Sequence, residues 1–159
     1  MLFNRISFMT AATQTLIFIT MIPWIELRGS IPFGIGIGLD PVFVFLTTLV
    51  VNILLIPVIY YGLEIFYKGF FIRFKLCRKV VESVRKRGEK YVQKYGILGL
   101  MIFVGIPLPG TGAYSGTALA WLLGMRKGES FLAVALGVLI AGVLVTLFSV
   151  GLFTSPIFS

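Results

Sequence analysis

Glu26-Leu27-Arg28-Gly29-Ser30-Ile31-Pro32 (ELRGSIP) sets a carboxylate and a guanidinium two residues apart inside an otherwise apolar run. No charged residue occurs from Ile6 to Ile25 before the pair, or from Gly29 to Leu39 after it, and the second flank carries Gly34, Gly36 and Gly38. A charged side chain at membrane depth costs roughly 2.5–3.5 kcal/mol on insertion scales, so a pair held there reads as a functional site. The competing reading makes Glu26 and Arg28 a loop between two ordinary spans, or an internal pair that holds a broken hairpin together.

The rest of the chain supplies the membrane. Of its 159 residues 58% are hydrophobic and 13% charged, against about 25% charged in a soluble domain. Pro41–Leu63, Tyr95–Met125 and Ser130–Ser159 carry no charge, and about 20 apolar residues cross a bilayer as a helix. The expectation is an all-α integral membrane protein forming a single membrane domain over 1–159, with a first half (1–67), a basic linker helix (68–95) and a second half (96–159). The apolar N-terminal run ends in Pro23-Trp24-Ile25-Glu26 rather than small residues, so it reads as retained rather than as a cleaved signal peptide.

The linker carries ten Lys and Arg residues against Glu82 and Glu89. Its apolar residues recur at spacings of three and four, the pattern of an amphipathic helix lying on the inner membrane surface. Basic segments stay on the cytoplasmic side, which places the linker and Arg126-Lys127 together in a cell membrane, plasma or inner. The net charge of +8 is thereby a matter of topology, and nucleic acid is not an expected partner. Cys77 is the single cysteine and histidine is absent. Without histidine, paired carboxylates or a nucleophile elbow, the chain is expected to be no enzyme, with no catalytic residue, no metal site and no cofactor.

Two features define the path. Pro107, Pro109, Gly110 and Gly112 cannot lie in one continuous helix. Irregular backbone at bilayer depth must be buried in protein or line a cavity. If Tyr95–Met125 crossed once, the two basic segments would fall on opposite sides, so a re-entrant hairpin with its tip near Pro109 is expected. The first half reads as its mirror image: a hairpin with an irregular tip over Glu26–Pro32, then a span from Pro41 kinked at Pro57, with Asp40 as its N-cap. Gly34/Gly38 and Gly112/Gly116 repeat a small-residue spacing that brings backbones together. The layout is an inverted repeat of a re-entrant helical hairpin plus a transmembrane helix.

In transporters with inverted repeats the substrate sits near the midplane, between broken helices. Glu26 is then the candidate proton-coupling group or a cation ligand, and Arg28 a holder of anionic substrate groups such as phosphate. Gly29 and Pro32 from one tip face Pro107, Pro109, Gly110, Thr111, Gly112 and Tyr114 from the other, with Gly29, Gly110 and Gly112 offering backbone donors. Tyr114 reads as hairpin packing and Trp121 as an interface anchor. Asn52 is either a substrate ligand or an interhelical hydrogen bond.

Two blocks carry a family resemblance. ELRGSIPFGIGIG (Glu26–Gly38) and FVGIPLPGTGAYSGTALAWLLGM (Phe103–Met125) resemble the signature blocks of the small multidrug export family, and the lengths and basic linker also fit. That family is similar in layout to the DedA/VTT superfamily, in which opposed re-entrant hairpins pack against long helices and some members are implicated in lipid translocation. DedA-like proteins carry arginine in the second hairpin, whereas Tyr95–Met125 has none. The resemblance implies an exporter of small amphiphilic or lipid-like molecules, and the intramembrane Glu-Arg motif makes proton coupling through Glu26 the expected mechanism. A lipid flippase or scramblase is the alternative, and a non-transporting structural or interaction protein the third reading. Two full spans offer little bulk to seal a pathway, so a homo-dimer in the lipid bilayer is expected.

Overall fold

The computed structural model describes residues 2–69, 95–108 and 110–153, and every regular element in them is helical. The helices are α1 (Leu2–Met21), α2 (Glu26–Gly36), α3 (Pro41–Gly69), α4 (Tyr95–Gly105), α5 (Ala113–Leu122) and α6 (Lys127–Phe153). The basic linker falls outside the described residues from 70 to 94, and so does Pro109.

Two helices, Pro41–Phe66 within α3 and Lys127–Phe153, are long and apolar enough to cross a membrane. Burial distinguishes them from the core helices of a soluble protein: only 28% and 33% of their most apolar windows are buried. Leu54, Val58, Ile65, Leu147 and Phe148 project outward, each more than 60% exposed. Such a surface is stable against hydrocarbon and costly in water.

The long helices are antiparallel and pack along their length. Lys127, opening α6, bonds Glu64 near the end of α3. At the opposite end Phe153 lies against Gly36, close to where α3 begins. Helices α1 and α2 form a hairpin whose open end is at the start of α3. Helices α4 and α5 form another at its far end, with Tyr95 and Gly96 beside Leu123 and Met125. The two hairpins therefore point at each other between the long helices. Helix α2 packs on α1, α3 and α6, and α5 on α3 and α6.

Local chemistry explains several boundaries. The Phe43 backbone N–H donates to Asp40 Oδ1 at 2.9 Å, so Asp40 caps α3 with Pro41 in its first turn, as expected. Helices α2 and α5 end alike. Gly38 and Gly124 adopt φ of +86° and +71°, and the following residues, Leu39 and Met125, return their N–H groups to Gly34 and Ala120. That closure requires a left-handed residue, which glycine adopts without Cβ strain.

Small residues set the closest approaches. A Cβ on Gly137 would come within 2.6 Å of Val104 Cβ and 2.8 Å of the Met101 carbonyl, and one on Gly116 would collide with the Val104 side chain. Helix α4 thus sits directly on α5 and α6. A Cβ on Gly34 would lie 2.9 Å from the methyls of Val44. Gly38 has nothing near it, so the Gly34/Gly38 spacing is one packing glycine and one cap rather than a continuous small-residue face. Leu16, Leu27, Ile31, Val44, Val104, Val134 and Val138 fill the centre.

The first hairpin corrects the expected tip. Residues 26–36 are helical, with Gly29 and Pro32 inside α2 rather than in irregular backbone. Gly29 donates its N–H to Ile25, continuing the helical pattern, and Pro32 only deletes one donor. The break falls earlier, between Met21 and Glu26, where Trp24 and Glu26 take φ of +94° and +47°. A bulky residue in that region is strained and persists only where its surroundings impose it. Trp121 is also corrected: it is 7% exposed and packs inside rather than anchoring an interface.

Candidate functional site

A helix leaves its first N–H groups and last carbonyls without partners inside the helix. The second hairpin breaks between α4 and α5, which creates one set of each deep in the protein. Glu26 and Arg28 answer both.

The Glu26 carboxylate takes the N-terminus of α5. Ala113 N–H donates to Oε2 and Tyr114 N–H to Oε1, each at 3.1 Å. Gly112, the N-cap residue, has no side chain to serve there, and its own N–H goes to Ser115 Oγ at 2.8 Å. The cap is thus completed from the other half of the chain. A carboxylate at this position also meets the positive end of the helix dipole.

Arg28 takes the C-terminal end of α4. Its Nη2 donates to the Val104 carbonyl at 2.8 Å and to the Ile106 carbonyl at 3.4 Å, and lies 3.2 Å from Thr111 Oγ1. Nη1 closes the pair onto Glu26 Oε2 at 3.2 Å. A cation suits the negative end of a helix as an anion suits the positive end. Both side chains are nearly enclosed, 11% exposed for Arg28 and 6% for Glu26. One donor, Arg28 Nε, is buried without a partner among the described residues.

The service is reciprocal. Tyr114 on α5 donates its hydroxyl to the Met21 carbonyl, the last of α1, at 2.7 Å. Each hairpin therefore caps a broken helix end of the other.

Beside this junction lies a cavity of about 360 Å³. Glu26, Arg28, Thr111, Tyr114 and Ser115 give it a polar side. Pro23, Trp24, Ala118 and, from α3, Ile59 and Leu63 supply apolar walls, with Gly110 and Gly112 between. Trp24 is 81% exposed at the rim, over Gly110. A mostly apolar concavity with a few convergent polar groups is the usual form of a small-molecule site.

The structure brings together Glu26, Arg28, Gly110, Thr111, Gly112 and Tyr114. Gly29 and Pro32 lie along α2, outside this cavity lining, and Pro107, between α4 and α5, is outside it too. The expected backbone donors are largely spent, since Gly29 N–H serves its helix and Gly112 N–H serves Ser115. Asn52 is fully buried in α3, donating to the Thr48 carbonyl at 2.9 Å with Oδ1 unpartnered, and is not in the cavity lining. Ile59 and Leu63 were not anticipated, because apolar residues in an apolar span carry no local mark of lining a site.

No curated protein and no solved structure matches the chain. A family model described as "Putative small multi-drug export protein" matches residues 26–144, from the capping glutamate to the second half of α6. The junction and its cavity lie almost wholly within that stretch, and with the two apolar helices around them the chain belongs to this family of membrane proteins.

Proposed function

We propose that the chain is a membrane transporter that exports small amphiphilic or lipid-like molecules through the cavity at the hairpin junction. The observation that carries this reading is the cavity itself, apolar on the α3 and Trp24 side and polar where the hairpins meet. In this reading the hairpins are re-entrant, the two halves form an inverted repeat of DedA-like layout, and the junction lies near the midplane.

Proton coupling works through the latch rather than through a free carboxylate. A proton on Glu26 would remove the charge that holds Arg28 and would occupy an oxygen that now accepts a backbone N–H. Both links between the tips would weaken together, letting the cavity open to the other side. Pyranine-loaded proteoliposomes given an amphiphilic dye test this. Native protein is expected to move dye with a pH gradient, and Glu26→Gln to lose the pH dependence; full pH-dependent uptake by the variant would sink the role. The lipid-translocating alternative assigns phosphate to Arg28, whose Nη1 and Nη2 are already directed at Glu26, Val104, Ile106 and Thr111. Labelled-phospholipid flipping abolished by Arg28→Ala, with dye transport intact, would favour that alternative.

The proposed orientation places Asp40 outside and the basic linker, with Gly128, in the cytoplasm of a cell whose plasma or inner membrane holds the protein as a homo-dimer. In a Cys77→Ser background, Asp40→Cys is expected to react with an impermeant maleimide on intact cells. Gly128→Cys is expected to react only after permeabilisation.

A further inference from the structure

A second cluster lies at the far end of α3, apart from the hairpin junction. Lys127, the first residue of α6, places Nζ 2.8 Å from Glu64 Oε2. The same ammonium sits 4.8 Å from the centre of the Tyr61 ring and 5.4 Å from that of Tyr60, within the range of a cation–π contact. A separate cavity of about 280 Å³ adjoins it, with Ile56, Pro57, Gly128 and Phe131 completing its wall. None of these residues lines the junction cavity.

Two aromatic faces and a carboxylate form an arrangement that selects an ammonium group. Its occupant is poorly suited to its own position. A cation in the first turn of a helix faces the positive end of the dipole, and the acid of that turn, Glu129, pairs with Arg126 rather than with Lys127. Lys127 is nevertheless drawn into the cage, while its side chain stays 54% exposed on a flexible stem. It is a tethered ligand with room to leave. The Ile56, Pro57 and Phe131 walls, in turn, have no polar demand and suit a hydrocarbon chain.

We infer that Tyr60, Tyr61 and Glu64 form a second binding site, for the ammonium group of a cationic amphiphile, and that Lys127 occupies it until such a ligand displaces it. The amphiphile's ammonium takes the position of Lys127 Nζ, and its apolar tail fills the adjoining cavity. The inference does not depend on the transport reading, since it concerns binding at a different cavity.

Calorimetric titration of the full chain in maltoside micelles with hexyltrimethylammonium tests it. Removing the tethered competitor with Lys127→Gln is expected to tighten binding about tenfold. Adding Glu64→Gln or Tyr61→Leu to Lys127→Gln is expected to abolish that gain, with thermal unfolding midpoints confirming that each variant is folded. Hexanesulfonate is expected to bind none of them. If phosphatidylethanolamine in the micelle competes, a lipid headgroup is the natural ammonium; if binding survives it unchanged, a free amphiphile is. The inference is overturned if Lys127→Gln binds no tighter than native protein, or if the gain persists in folded Lys127→Gln/Glu64→Gln and Lys127→Gln/Tyr61→Leu proteins.

Discussion

Glu26→Ala is expected to destabilise the protein by about 3–5 kcal/mol, the usual cost of removing one partner from a buried ion pair. The loss has two sources that act together. The Arg28 guanidinium, nearly enclosed, is left without its counter-charge. Ala113 and Tyr114 lose the acceptors for their N–H groups, which the other capping bond at this helix end, from Gly112 N–H to Ser115, does not replace. Each buried donor left unpaired costs about 1–3 kcal/mol. Glu26→Gln is expected to lose less, because an amide oxygen still accepts one of those bonds. Thermal unfolding of purified protein in one detergent, followed by helical circular dichroism, provides the ranking. Native stability in Glu26→Ala would show that the caps contribute nothing.

Gly112→Ala is expected to reproduce most of that loss although it removes no interacting atom. The backbone at Gly112 has φ −147°, which alanine adopts without strain, so the effect is steric alone. An added Cβ would occupy the space of the Glu26 carboxylate. A carboxylate at the end of a flexible side chain normally moves aside at little cost. Here Arg28, Ala113 and Tyr114 pin it, and moving it breaks those bonds. The signature is non-additivity: once Glu26 is alanine, adding Gly112→Ala is expected to cost almost nothing further. Equal penalties in both backgrounds would mean that Gly112 matters through its own backbone instead.

How much of this was legible depends on whether the signal was local. The segregation of charge marked the long spans, and Asp40-Pro41 marked the start of α3 correctly. The run Pro107–Gly112 broke the helix where its prolines and glycines said it would. The first break was misplaced for the same kind of reason. Glycine and proline at 29–38 suggested irregular backbone, but α2 absorbs Gly29 and Pro32 while the chain turns at Trp24. Positive φ at a tryptophan has no sequence mark, because tryptophan has no preference for that region. Glu26, Arg28, Thr111 and Tyr114 were expected to meet, yet their bonding pattern was not. Ala113 is distant in the chain from the carboxylate that caps it, and no spacing rule links the two. The Lys127 cage was likewise hidden, since Tyr60, Tyr61 and Glu64 read as the ordinary end of a span.

The reciprocal caps also bear on how the protein is made. When the first hairpin leaves the ribosome, its carboxylate and guanidinium have only each other, because Ala113 and the carbonyl of Val104 do not yet exist. A bilayer offers no water to take their place. In the re-entrant arrangement proposed above, the first hairpin completes its packing only once the second has been synthesised. A chain halted before α5 would leave the Glu26–Arg28 pair without the α5 N–H groups that complete it. The latch that joins the halves in the finished protein thus leaves each half, by itself, with helix ends that lack their caps.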